Sequence, residues 1–87
     1  MTRDGRRLVT AVNQFAKVMK EKLLTKAAEG WRGWDCDGYQ GLFLQKLHEH
    51  ELQLQRGDMA QAVDVANFAM MLWALDQEFA ASDGGEE

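Results

Sequence analysis

The stretch Gln61–Ala74, QAVDVANFAMMLWA, decides how this chain folds. It is almost wholly apolar, yet Asp64 carries a carboxylate, and Gln61 and Asn67 lie three residues to either side of it. Residues three apart lie on neighbouring parts of one helix face. Burying a carboxylate costs free energy unless another group or a cation pairs with it. The stretch therefore predicts an apolar helix with a short polar stripe that needs partners.

An amphipathic helix is predicted over residues 6–28, before this stretch. Apolar side chains recur there at spacings of three and four, which places them on one face. They are Leu8, Val12, Phe15, Met19 and Leu23. Lysines flank this stripe, and Gly30 follows as a natural end to the helix.

A second helix is predicted over residues 38–56. Asp37 is the expected N-cap residue, with Gln40 three residues later completing a capping box. Gly57 supplies the left-handed turn that ends the helix. Its inward face is marked by three leucines with Phe43 beside them, namely Leu44, Leu47 and Leu54.

The third helix is predicted over residues 58–79, with Asp58 as its cap and Gln61 free to fold back onto that cap. Because this helix is apolar nearly all round, it must be covered on more than one side. We therefore expect an all-α domain over residues 1–79 whose bundle is completed by oligomerisation. The polar tail, residues 80–87, is predicted to be disordered.

A short turn at Gly57 makes the last two helices an antiparallel hairpin. His50 and Glu51 precede the turn by about the same distance as Gln61 and Asp64 follow it, so these polar residues should meet. Two interpretations stay open. In one, these residues form a divalent-metal site, as oxygen ligands on facing helices do. In the other, they form a hydrogen-bonded polar layer that fixes the register of the two helices.

Composition bounds the function further. The chain has 87 residues, a net charge of −4 and one cysteine, which together fit a small domain in a reducing cytoplasm. No apolar run reaches the roughly 20 residues that cross a bilayer, so no membrane partner is expected. The acidic balance argues against binding to duplex nucleic acid. Residues 1–32 are basic, however, and face either the acidic remainder of the chain or a polyanion such as a triphosphate.

Trp31 and Trp34 lie in the loop between the first two helices. Two rings in one loop plug the end of a small core, or one of them stacks on a nucleobase.

The order of these motifs resembles the MazG-like all-α nucleoside triphosphate pyrophosphohydrolases, particularly small phage and prophage members. The resemblance covers roughly residues 8–76, with DVANFAMM at residues 64–71 as its most specific part. Three preceding segments agree with it, namely AVNQFA, GW and KLHEHELQL. It implies a homodimer or larger homo-oligomer that binds Mg²⁺ through an ExxE on one helix and an ExxD on the next. Such enzymes cleave nucleoside triphosphates to a monophosphate and pyrophosphate.

Only part of that metal motif is present in this chain. His50 and Gln53 stand where the resemblance implies the two acids of ExxE, and Gln61 stands where it implies the first acid of ExxD. Asp64 matches the motif, and Asn67 follows it. One acid in place of four should weaken binding of a hard cation sharply, so we expect Mg²⁺-dependent pyrophosphohydrolysis to be weak or lost.

Three functions follow as hypotheses. In the first, the chain is a divergent hydrolase, for which Mn²⁺ is an option because it suits a histidine ligand. In the second, it is a catalytically degenerate protein that binds a nucleotide or inhibits a protein partner. In the third, it is a helical oligomerisation module. Whether it is an enzyme is left open. The candidate metal ligands are Asp64, Glu49, His50 and Glu51, and the candidate substrate contacts are Asn67, Trp31, Trp34 and Lys26.

Overall fold

The computed structural model describes residues 1–31, 33–35 and 38–84, with side chains described through residue 77. The described residues form helices and turns without a strand, which confirms the predicted all-α class. The three helices are α1 (Arg3–Ala28), α2 (Gln40–Gln55) and α3 (Gln61–Gly84). None of them combines the length and the hydropathy that crossing a membrane requires, within the described residues.

The chain divides into two compact units, Met1–Trp31 and Arg32–Glu87. In the first unit, α1 begins three residues earlier than predicted because the Thr2 hydroxyl accepts the N–H of Gly5 at 3.0 Å. This is an N-cap bond, and it satisfies a donor that the first turn of a helix leaves open. No residue of α1 is buried, and Leu8 and Val12 of its apolar stripe are 67% and 65% exposed.

The second unit is an antiparallel hairpin, as predicted, in which α2 and α3 pack against each other. His50 contacts Gln61, and seven residues further from the turn on each helix Phe43 contacts Phe68. Gly57, with φ of 101°, closes α2. Its N–H bonds to the carbonyl of Leu54 and that of the next residue to Gln53, which is the Schellman arrangement.

The core of the hairpin is small. Phe43, Met71 and Leu75 are each 3% exposed, and the Phe43 ring lies 5.8 Å from both Tyr39 and Phe68, measured between ring centroids. Stacked and tilted rings at such separations add to the free energy of burial.

The predicted inward face of α2 is wrong at one position. Leu44 was expected inside with Phe43 beside it, whereas Phe43 is buried and Leu44 is 59% exposed. Leu47 and Leu54 are half-buried. The larger aromatic ring gains more from burial than a leucine does, so α2 is rotated to place Phe43 against α3.

The helix ends also differ from the prediction. The residue at the N-cap position of α2 is Tyr39, and its side chain makes no capping bond. Asp37, the predicted cap, lies outside the described residues. At the next boundary, residues 58–60 form a turn in which the N–H groups of Gln61 and Ala62 bond to the carbonyls of Asp58 and Met59. The third helix therefore starts at residue 61 rather than 58.

α3 continues to Gly84, beyond the predicted end at residue 79. Ala80 and Ala81 are favourable helix residues, so the first strong interruption of the helix is the pair of glycines at 84 and 85. Residues 80–84 of the tail expected to be disordered are thus helical. Residues 85–87 lie outside the described part of the chain.

Two glycines of the hairpin give a matched test of this fold. We expect Gly57→Ala to destabilise the protein by about 1–2 kcal/mol, because a Cβ disfavours the left-handed conformation. Gly41 lies within α2 with no heavy atom within 4 Å of an added Cβ, so Gly41→Ala should stabilise it by about 0.4–1 kcal/mol. Urea unfolding followed by circular dichroism measures both changes. Equal effects of the two substitutions would contradict the assigned turn.

Candidate functional site

His50 meets Gln61 and Asp64 across the turn, as predicted, whereas Glu51, which was expected to join them, bonds within α2 instead. His50 Nδ1 lies 2.5 Å from Gln61 Oε1, and Gln61 Nε2 donates to Asp58 Oδ2 at 3.0 Å. The second bond sets the orientation of the Gln61 amide, with its oxygen toward the imidazole. Because an amide oxygen only accepts, His50 Nδ1 must carry the hydrogen. Gln61 thus binds the Nδ1–H group of the imidazole from across the hairpin.

Asp64 lies on the same side of α3, one turn after Gln61. Its Oδ2 is 3.7 Å from His50 Nδ1, and the two side chains are 15% and 27% exposed. At that distance the imidazole N–H faces a carboxylate as well as the Gln61 amide. We call His50, Asp58, Gln61 and Asp64 the polar layer.

An aromatic ring supports this layer from the apolar side. The imidazole of His50 stacks on Phe68, with 5.5 Å between the ring centroids and 26° between the planes. Phe68 also contacts Phe43. The ring of Phe68 therefore connects the polar layer to the hydrophobic core and limits how His50 can turn.

Asn67 is the buried polar side chain of α3, at 5% exposure. It lies on the same row of the helix as Met71 and Leu75, which are also buried. Its Oδ1 atom has no hydrogen-bond partner among the described residues. A buried acceptor without a donor costs about 1–3 kcal/mol. Because the atom is closed to solvent, a ligand could bond to it only after neighbouring side chains move.

Glu49 and Glu51, two of the candidate metal ligands, are engaged elsewhere on α2. Glu49 accepts from Gln45 at 3.2 Å and pairs with Lys46 at 3.6 Å. Glu51 accepts from Gln55 and lies 3.7 Å from His48. Neither carboxylate joins His50 and Asp64. These partners are three or four residues away along the helix, where side chains of one face meet.

The residues of the polar layer and its described surroundings do not fit a divalent-metal centre. Within the described part of the chain, no group of three or more His, Cys, Asp or Glu side chains is placed to hold a metal ion. The polar layer offers Asp64 and Asp58 as carboxylates, but the amide of Gln61 donates to Asp58 and accepts from His50. Mg²⁺ requires several charged or polar oxygens in octahedral geometry, which this closed hydrogen-bonded arrangement does not supply.

The remaining candidates lie apart from this layer in sequence. Lys26 and Trp31 come together at the end of α1, where the N–H of Trp31 bonds to the carbonyl of Lys26 at 3.0 Å. The Trp31 side chain is 38% exposed. Trp34 is half-buried in the second unit.

The bond from Gln61 to the Asp58 carboxylate agrees with the expectation that Gln61 folds back onto the cap. Sequence reasoning missed one member of the site. Phe68 was counted only as core, although it stacks on His50. Its spacing of four from Asp64 would have placed it on the same face of α3.

Comparison of the chain with models of protein families, with curated proteins and with solved structures finds no match.

A double-mutant cycle tests whether the polar layer is a cooperative unit. We expect His50→Ala and Gln61→Ala to be coupled by about 0.5–3 kcal/mol in free energy of unfolding, because the two side chains bond directly. His48 supplies the control, since its side chain is 68% exposed and pairs within α2. His48→Ala and Gln61→Ala should be additive. Additivity in the His50 cycle would contradict the bond across the hairpin.

Proposed function

We propose that this chain is a catalytically degenerate MazG-like protein that binds a nucleoside triphosphate without hydrolysing it through a divalent metal. In this proposal, copies of the chain assemble into a homodimer or a larger homo-oligomer, as members of that family do. The protein works in the cytoplasm, or in that of the host if a phage encodes it, which suits its single cysteine.

The observation that carries the proposal is the bonding of Gln61 to both His50 and Asp58. Where the family resemblance implies acids that hold Mg²⁺, the imidazole of His50 and the amide of Gln61 bond to each other across the hairpin. A cation at Asp64 would have to displace these bonds and would gain only a few charged oxygens. The hydrogen-bonded layer therefore favours a structural use of the former metal positions.

Binding of a nucleotide is supported by the resemblance and by the unpartnered oxygen of Asn67, which follows the matching Asp64. Nucleobases and sugars carry N–H and O–H groups that can donate a hydrogen bond to such an oxygen. In the first unit, separately, the exposed ring of Trp31 has a face on which a base can stack, and the ammonium group of the exposed Lys26 side chain suits a phosphate.

A second candidate function, inhibition or binding of a protein partner, is favoured by the apolar stripe of α1. Leu8 and Val12 on that stripe are more than half exposed. An amphipathic helix with an open apolar face is a common means of binding a groove on another protein.

Hydrolysis is the first test of the proposal. We expect no pyrophosphate release above an EDTA control from any common nucleoside triphosphate, with either Mg²⁺ or Mn²⁺, because one motif acid remains of four. A variant with His50→Glu, Gln53→Glu and Gln61→Glu restores the charges, and its affinity for Mg²⁺ in calorimetry should exceed that of the wild type. Turnover by the wild type that Asp64→Asn abolishes would contradict the proposal.

Calorimetry of nucleotide binding completes this test. Binding without product is expected, and Asn67→Ala should weaken it by roughly fivefold to tenfold, the loss of one hydrogen bond of about 1 kcal/mol. Asn13→Ala, which changes an exposed asparagine of α1, is the matched control and should have no effect. If no nucleotide binds, the nucleotide part of the proposal fails and the binding of a protein partner remains.

A further inference from the structure

Trp73 is unusual among the large side chains of α3. It lies within the helix and is 65% exposed, two residues from the buried Met71 and therefore on nearly the opposite side of the helix. Ala62, Ala66 and Ala69 share that side. We call Ala62, Ala66, Ala69 and Trp73 the outer face of α3.

The outer face has a shape that is complementary to itself. Its large indole stands at one end and its alanines at the other, with Trp73 seven residues, or about 10 Å along the axis, from Ala66. If a second copy of α3 is placed antiparallel about a point near residue 69, each Trp73 lies over Ala66 of the other copy. Because the alanine side chains are small, they leave room for the indole ring of the other copy while the helix axes lie about 8–10 Å apart.

Charge also favours a second copy on this face. Between residues 62 and 73 the only charged side chain is Asp64, and it faces His50 inside the hairpin. Asp76 would lie near the first turn of the other α3, where a carboxylate is stabilised by the helix dipole. By contrast, residues 1–32 carry eight basic and three acidic side chains, so pairing two copies through α1 brings like charges together.

The size of the face sets the expected strength. Two indoles contribute about 300–500 Å² of buried surface, and a specific interface needs about 1,000 Å² in total. The alanines and backbone along a face of about 17 Å are barely enough to supply the rest of that buried area. The pairing should therefore be reversible and depend on protein concentration.

We propose that the outer face of α3 is the dimer interface of this chain, with the two α3 helices antiparallel and each Trp73 seated over Ala66 of the second copy. This inference rests on the assembly stated under the proposed function and specifies the surface that forms it.

Sedimentation equilibrium of the full chain tests the interface. The wild type should show a monomer–dimer equilibrium, and Trp73→Glu should weaken it by roughly 30-fold or more, as loss of an interface hot spot does. Ala69→Glu should act in the same way. Leu44→Glu places the same charge on an exposed leucine of α2 and should leave the dimer intact. Circular dichroism of each variant checks that its helix content is retained.

Cross-linking tests the antiparallel arrangement. With Cys36→Ser as background, Ala69→Cys lies at the twofold axis and should form a disulfide between copies, whereas Gln77→Cys should not, since two such residues are about 22 Å apart along the axis. Equal cross-linking at both positions would overturn the antiparallel arrangement. A dimer unaffected by Trp73→Glu and Ala69→Glu would overturn the interface and leave the assembly standing. A monomer at every concentration would overturn both.

Discussion

The hairpin depends on the side-chain amide of Gln61. That group donates to Asp58 at the turn and accepts from His50 across the hairpin. Gln61 and Asp64 lie one turn apart on α3, and the imidazole of His50 on α2 faces both of them. Phe68 then holds the imidazole against the core. One amide thus connects the turn to α2, because it has both a donor and an acceptor.

This arrangement bears directly on function. A metal centre needs open carboxylates that converge, whereas Glu49 and Glu51 pair along α2 and Asp64 faces a histidine. His50 and Gln61, which stand where the resemblance implies metal-binding acids, bond to each other across the hairpin. The proposal of a ligand rests on the buried, unpartnered oxygen of Asn67, and the proposal of a second copy rests on the exposed Trp73 of α3.

Much of this could be predicted, for identifiable reasons. Apolar spacing predicted the three helices, and equal distances from Gly57 predicted that His50 meets Gln61 and Asp64. Rotation of α2 could not be predicted, because Phe43 and Leu44 are both apolar and only packing against Phe68 distinguishes them. The partners of Glu49 and Glu51 could not be predicted either, because polar neighbours on the same helix compete with a metal ion for each carboxylate. Helix ends shifted by up to five residues, as weak signals such as Thr2 and Ala80 decide them.

Thermal unfolding during a titration with Mg²⁺ and Mn²⁺ shows whether the polar layer holds a metal ion, because a ligand that binds the folded state raises its melting temperature. We expect no rise beyond that of a salt control at equal ionic strength, in the wild type and in Asp64→Ala alike. A rise in the wild type that Asp64→Ala removes would show that the hydrogen-bonded layer is a metal site after all.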